Sequence, residues 1–327
     1  MTASERIRLG ACLSLTGRFA RFGRQAADAL RVWRDMTGAE LVIEDDKSDP
    51  RTLERLFPGV ADRSDVLLGP YATNLMRVAG TVGADKGRLL WNHGGSGDDI
   101  ESAHPGHVVS TLTPTSRYAV PFLRHLREAG TTRLVVARGK GSFGRQVIAG
   151  ATRCAAELGI GVAEIASDHE PVGSWTLFSA GTFEDDVANV KRAQLMRNPP
   201  STICSIAAGV REFPDVVAEA HGVLGIAQWF PGAGASPALG PTERDFLASY
   251  AGVPDYPAVQ AFAAAVLAAH CAKLAGTVER RAMWDAAASL TTSTFFGAFR
   301  IDPSTGSQVD HQTVLLRWTE SGLTAVR

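Results

Sequence analysis

The sequence has few cysteines, no excess of either charge and no apolar run long enough for a membrane span. Four cysteines stand among 327 residues, none with C-x-x-C spacing, which argues against a secreted disulfide framework. Cys12 and Cys204 sit in apolar runs, and Cys154 and Cys271 in Ala-rich stretches, so all four read as small core residues. Scattered single thiols suit a reducing compartment. Lys and Arg number 33 against 34 Asp and Glu, a net charge of −1. No basic field exists to hold a phosphate backbone, so general nucleic-acid binding is disfavoured. The longest nearly apolar run, Ala261 to Ala272, is about 12 residues and is broken by His270, whereas a membrane span needs about 20. Met1 to Arg8 runs straight into an apolar strand, so no signal peptide is expected in this sequence.

Catalytic constellations are also missing. His104 and His107 form a loop pair, and two ligands fall short of the three or four of a zinc site. No G-x-S-x-G elbow occurs. Asp45-Asp46 follows a strand without an acid/base partner, and Glu184-Asp185-Asp186 opens a helix, where acids favour the dipole. No catalytic residue, metal or cofactor is assigned.

What is present is an alternation of short apolar runs with helical periodicity. Ile7–Leu15, Leu41–Glu44, Val66–Leu68 and Arg88–Trp91 read as strands, separated by helices over Gly23–Met36, Thr52–Asp62 and Asn74–Lys86. The cycle restarts with helices over Ser116–Ala129, Gly144–Leu158, Phe183–Met196 and Pro214–His221. Between them come strands over Arg133–Ala137, Val162–Ile165, Thr202–Ile206 and Gly225–Trp229. Helices over Val259–Ala275 and Arg280–Leu290 follow, then Phe299–Ile301 and Thr313–Trp318 as antiparallel strands about the turn 302–306. Such alternation predicts an α/β fold of two doubly wound, mostly parallel lobes, about two domains by length.

Ligands in such sheets bind beyond the carboxyl ends of the strands. The loops there carry Phe19 and Phe22, then Gly69-Pro70-Tyr71-Ala72-Thr73, then Asn92-His93-Gly94-Gly95-Ser96. A hydroxyl at a helix start, beside free backbone N–H groups, suits an anion or carbonyl oxygen. Capping is the competing reading of Thr73 and Ser96. Gly139-Lys140-Gly141-Ser142-Phe143-Gly144 matches G-x-G-x-x-G after a strand, with Asp168 24 residues on, and so raises a nicotinamide-dependent enzyme as an alternative. The bulk of Lys140 and Phe143 weighs against it.

Read in order, the chain resembles the type I periplasmic solute-binding fold. Within it, the resemblance is to the branched-chain amino-acid-binding receptors of ABC transporters and the amide-sensing regulators related to them. The residues that carry it are Ile7-Arg8-Leu9-Gly10 with Leu15-Thr16-Gly17, Asp45-Asp46 with Ser48-Asp49-Pro50, and Leu68-Gly69-Pro70. Further along come Phe143-Gly144, Gly181-Thr182-Phe183 and the ending Phe296-Gly297 to Gln312. The resemblance implies two lobes joined by crossover hinge segments, 1–117 plus 236–293 and 118–235 plus 294–327, closing on a small molecule. It implies a non-catalytic receptor with an ABC permease as partner outside the membrane; a cytoplasmic small-molecule sensor of the same fold is the alternative.

By that resemblance Thr73 holds a ligand carboxylate or amide oxygen, and Gly95 and Ser96 supply a backbone N–H and a hydroxyl. Tyr71 and His93 lie in the same loops. Phe22, with Phe19 nearby, packs on the ligand side chain, and Phe143 covers it. Amino-acid-binding members hold the ligand ammonium with an acid and a tyrosine from the second lobe. Here those loops offer only Glu212, with Arg211 beside it, and Trp229. An ammonium without a partner is costly to bury. An aromatic or apolar carboxylate or amide is therefore expected, with a branched-chain amino acid as the alternative, in a cleft also lined by Trp91 and Phe230.

Overall fold

The computed structural model describes residues 6–165, 171–234 and 236–326. Asp168 and His169 lie outside the described residues. The chain divides into two compact units: 1–113 with 234–311, and 114–233 with 312–327.

The first unit opens with β1 (Arg8–Leu13), α1 (Ala20–Thr37), β2 (Glu40–Asp45), α2 (Pro50–Asp62), β3 (Val66–Leu68), α3 (Thr73–Asp85), β4 (Leu90–Asn92) and β5 (Val108–Ser110). Local chemistry sets the boundaries. Gly38, at φ 70°, ends α1 in the left-handed conformation that glycine adopts without penalty. Asp49 caps α2 by accepting from the Thr52 N–H at 2.8 Å, and Pro50 stands at the first turn, where its missing donor is not needed. The strands form a parallel sheet in the order β2-β1-β3-β4-β5. Cys12, Leu67 and Leu90 face Leu53, Phe57 and Val60 of α2 and Leu75, Met76 and Ala79 of α3.

The second unit contributes α4 (Val120–Glu128), β6 (Arg133–Arg138), α5 (Gly141–Glu157), β7 (Gly161–Glu164), β8 (Thr176–Ala180), α6 (Phe183–Gln194), β9 (Thr202–Ser205), α7 (Phe213–Val216) and β10 (Leu224–Ala227). The chain then returns to the first unit with α8 (Glu243–Ser249), α9 (Tyr256–Ala275), α10 (Arg280–Ser289) and the hairpin β11 (Thr292–Thr294) and β12 (Gly297–Phe299). It ends in the second unit with β13 (Val314–Thr319) and β14 (Gly322–Ala325). Within the second sheet the order is β7-β6-β8-β9-β10, with β13 and β14 added antiparallel. Both units thus repeat one parallel order, in which the first strand lies between the second and the third. In each, the chain reverses its direction of travel beside that first strand, which makes the crevice there the natural ligand position.

Helix α9 is long and apolar enough to cross a bilayer by length and composition, but most of it is buried in the first unit, packed on α1 and α10. A helix apolar all round is a core helix when neighbours cover it.

Five labelled elements fall outside the sequence reading: β5, β8, α8, β11 and β14. The helix expected over Pro214–His221 shrinks to one turn, because Val217 is extended at φ −124° and ψ 99°. The strands expected around the turn 302–306 do not pair with each other. β12 pairs with β11, β13 pairs with β10, and a single bridge between Ile301 and Gln308 closes the turn. The last crossing between units falls after His311 rather than at 293/294. The intervening segment is bonded to the first unit: Gly306 O accepts from Ser110 N at 3.0 Å, and His311 Nδ1 lies 2.7 Å from Thr113 Oγ1.

Candidate functional site

Three loops of the first unit leave the carboxyl ends of β1, β3 and β4, and hydrogen bonds fix each of them. The first loop, after β1, is held by the acidic turn after β2. Asp45 accepts from the N–H groups of Leu15 (2.9 Å), Thr16 (3.2 Å) and Lys47 (2.8 Å) and from the Thr16 hydroxyl (2.7 Å). Partial burial opposes ionisation there, but these bonds outweigh it and hold the Asp45 carboxyl below its ordinary range. Asp46 is buried and accepts from Ser14 Oγ (2.6 Å) and Ser48 N (2.7 Å); desolvation dominates and raises its pKa. Ser48 Oγ accepts from Phe19 N at 3.0 Å and donates to Thr16 O at 2.8 Å. The Asp45-Asp46 pair is therefore a loop clamp, which is why no acid/base partner accompanies it.

That clamp places Phe19 and Phe22 against Tyr71 of the second loop. Phe22 stacks on Tyr71 with centroids 4.2 Å apart and planes at 17°, and Phe19 stands 6.3 Å from Tyr71. Arg21 lies over Phe22 at 4.4 Å and Arg18 over Phe19 at 5.6 Å. At these distances Tyr71 and Arg21 cannot share one face of Phe22. The Phe22 ring is thus packed by Tyr71 and Arg21 of its own unit. Arg18 and Arg21 were not among the sequence candidates. The repeated Arg-Phe pair was their signal.

The second loop ends at α3. Its cap is Ala72, at φ 81° and ψ 137°, a region that costs a residue with a Cβ roughly 1–3 kcal/mol. Ala72 is held there by its N–H to Gly94 O at 3.1 Å and by Met76 N to its own carbonyl at 3.0 Å. Thr73 lies inside the first turn and caps nothing. The start of α3 thus has no side-chain cap and no acid in its first turn. Its orphan N–H groups and positive dipole end favour an anion. The contrast within the fold is α6, closed by the Thr182–Asp185 capping box and by three acids.

The third loop packs on the second so closely that only glycine fits. A Cβ on Gly94 would lie 2.6 Å from Pro70 O and from Tyr71 Cα, and one on Gly95 would lie 2.5 Å from Met76 Cβ. Asn92, fully buried, grips this loop. Its Oδ1 accepts from Gly94 N (3.2 Å) and Gly95 N (2.8 Å), and its Nδ2 donates to Gly95 O (2.6 Å) and Ser110 Oγ (2.7 Å). The Gly95 N–H is thereby consumed, which corrects the expectation that it serves a ligand. Ser96 remains the polar group of this loop; its hydroxyl and that of Thr73 bond to no described residue. His93 is fully buried, with neither ring nitrogen hydrogen-bonded among the described residues. Desolvation lowers its pKa to about 4, with weak opposition from the backbone at Gly69, so the ring is neutral at physiological pH. Trp91 is also fully buried, 6.2 Å from Phe299, and is a core residue rather than a lining one.

The remaining candidates belong to the second unit. Phe143 is half-buried in the first turn of α5, edge-on to Tyr118 at 5.6 Å. Arg211 is exposed, and Glu212 precedes the single turn of α7. Trp229, after β10, is buried, and its indole N–H has no partner among the described residues.

The loop Gly139–Gly144 is spoken for. The Lys140 N–H donates to Asp185 Oδ2 at 2.9 Å. A Cβ on Gly139 would lie 2.5 Å from Gly181 Cα, and one on Gly144 would lie 2.4 Å from Ala180 O. These glycines let β6 and α5 approach the turn after β8. A carboxylate sits where a phosphate cradle would need free donors. Burial opposes ionisation of Asp185, but bonds from Lys140 and Thr182 hold it below the usual carboxylate range.

The sequence pattern described as periplasmic binding protein matches residues 6–173, more than half of the chain. Among solved structures, a leucine-binding protein from Thermotoga maritima superposes with a TM-score of 0.80 at 13% identity, covering 98% of each chain. The branched-chain amino acid transporter substrate-binding protein LivJ from Streptococcus pneumoniae, in complex with isoleucine, gives 0.76 at 14% identity, over 98% of this chain and 99% of that one. An ABC-transporter solute-binding protein from R. palustris, in complex with 4-hydroxybenzoate, gives 0.79 at 15%, over 99% and 96%. At such identities the superpositions speak for the fold.

Proposed function

This chain belongs to the periplasmic binding protein family, a family of non-catalytic solute receptors, and we propose that its own ligand is a small aromatic or apolar carboxylate, or the corresponding amide. One observation carries the reading. The uncapped start of α3, with Thr73 in its first turn, lies beside the Phe22–Tyr71 stack and the Ser96 loop. Free N–H donors, a positive dipole end and two hydroxyls suit a carboxylate or amide oxygen. Aromatic rings next to them suit an apolar body. Arg18, just before α1, and Arg21, in its first turn, add positive charge at the start of that helix. The only acid in the two second-unit loops is Glu212, beside Arg211, a weak partner for an α-ammonium. The R. palustris relative bound to 4-hydroxybenzoate supports the choice, and the isoleucine-bound relative defines the competing one. The receptor delivers its ligand to an ABC-type permease, by analogy with those relatives.

Isothermal titration of the full chain with benzoate, 4-hydroxybenzoate, benzamide, leucine and isoleucine tests this. Saturable binding is expected for at least one aromatic compound and for neither amino acid. Tight binding of leucine or isoleucine with no aromatic binding overturns it.

A further inference from the structure

Glu101 lies in the β4–β5 connection, beyond the Gly94–Ser96 loop and not itself a candidate ligand contact, yet its carboxyl group is buried. Oε1 accepts a short hydrogen bond from Ser110 Oγ, and Oε2 is buried with no partner among the described residues. A carboxyl so placed is costly to desolvate. It neither caps a helix nor forms a salt bridge among the described residues; besides Ser110, the Ser307 side chain favours its charged form. What it does is set a direction.

A serine hydroxyl has one proton. While the Glu101 carboxyl is ionised, Ser110 gives that proton to it and toward Asn92 presents only lone pairs; burial pushes the Glu101 pKa up, and a protonated carboxyl would itself donate to Ser110. Asn92 must then turn its NH2 group to Ser110, which leaves its carbonyl oxygen facing the opposite way, toward Gly94 N and Gly95 N. The NH2 group also reaches Gly95 O, closing a reciprocal pair around one residue of the loop. Asn92 and Ser110 are as deeply buried as Glu101, so water does not compete along the chain.

We infer that Glu101 is a positioning residue for the Gly94–Ser96 loop, acting through the Ser110 hydroxyl and the Asn92 amide. The consequence for ligand affinity rests on the ligand reading above; the ordering of the loop does not.

The experiment uses the full chain with Glu101→Leu, Glu101→Gln and Ser110→Ala. Amide hydrogen exchange at Gly94 and Gly95 is followed by NMR without ligand, and benzoate affinity by titration. Glu101→Leu and Ser110→Ala are expected to speed exchange at these two amides at least tenfold while the amides of β1 and β3 stay protected. Glu101→Gln, which keeps a carbonyl acceptor for Ser110, is expected to restore slow exchange. Combining Ser110→Ala with Glu101→Leu is expected to add nothing. Unchanged exchange in Ser110→Ala, or equal exchange in the Gln and Leu variants, overturns the inference. Should the Leu variant not fold, Ser110→Ala against Glu101→Gln decides the same question. Benzoate affinity is expected to fall about tenfold wherever exchange accelerates. Faster exchange in a protein whose wild type binds none of benzoate, 4-hydroxybenzoate and benzamide sinks the ligand reading and leaves the positioning role standing.

Discussion

Tyr71 and Tyr256, 185 positions apart in the chain, share a hydroxyl–hydroxyl hydrogen bond of 2.7 Å. Tyr256 is the first residue of α9, and Tyr71 carries the ring on which Phe22 stacks. The bond ties the Phe22–Tyr71 stack to α9, the most buried helix of the first unit. A neighbouring tie, Asp255 N to Gln25 Oε1 at 2.9 Å, fixes the same end of α9 to α1.

Tyr256→Phe removes one partner of that bond and leaves the ring packing intact. A net hydrogen bond is worth about 1 kcal/mol. Stability is expected to fall by that amount, and affinity for the proposed aromatic ligand by a few-fold, as Tyr71 gains freedom. Tyr71→Phe is expected to cost a similar amount, and the double variant little more than either single one, because both remove the same bond. Additive losses in a double-mutant cycle would show that the two hydroxyls act separately.

Gly94→Ala places a methyl group 2.6 Å from backbone atoms of Pro70 and Tyr71. Backbone cannot swing aside as a side-chain tip can, so overpacking of this kind costs about 1–3 kcal/mol. The expected result is a loss of that size in chemical unfolding together with weakened ligand binding. Gly59→Ala is the control: the added methyl meets nothing within 4 Å, and little change is expected. Equal behaviour of the two variants would sink the close-packing account of loops two and three.

The alternating pattern made the parallel sheets legible, and the rule that ligands sit beyond strand ends singled out the loops after β1, β3 and β4. Val66–Leu68 between Asp65 and Gly69-Pro70 left little choice of element. β5 and β8 were not legible: one has three residues, both are fully buried, and neither alternates. Thr73 could be either a cap or a first-turn residue from sequence, and the strained backbone of Ala72 decides it. The grip of Asn92 on Gly95 could not be read either, because its partners Ser110 and Glu101 arrive from 18 residues downstream and from a loop without periodicity. The same holds for the Phe22 ring, which Tyr71 stacks on only once the second loop meets the start of α1.

His93 makes stability fall in acid. Its folded pKa, about 4, is below the unfolded value near 6.5 because burial opposes the charged ring. As pH drops from about 6.5 toward 4 the unfolded chain takes up a proton that the folded chain refuses. The loss reaches about 3 kcal/mol at the lower end. Wild type is therefore expected to lose stability relative to His93→Gln over this range, and the difference to be flat above pH 7.5. Urea unfolding of both proteins at stepped pH measures it. A pH-independent difference would mean that the ring is solvated in solution.

Asp186 gives the opposite slope in the second unit. It is fully buried, and desolvation lifts its folded pKa to about 6, although Ser179 Oγ (2.8 Å) and Ala207 N (3.0 Å) both donate to it. The unfolded carboxyl titrates near 3.8, so between about pH 4 and 6 the unfolded chain has released its proton while the folded chain still holds it. Folding then takes up a proton, and stability contributed by this site falls as pH rises, by about 3 kcal/mol in all. Asp186→Asn removes the titration but keeps one acceptor. Stability of wild type relative to this variant is expected to decline from pH 4 to pH 6 and level off above pH 7. In the same window the His93 difference rises. Two variants in two units, with difference curves of opposite sign over one pH range, separate burial from any general acid effect. Curves of the same sign would rule out desolvation as the common cause.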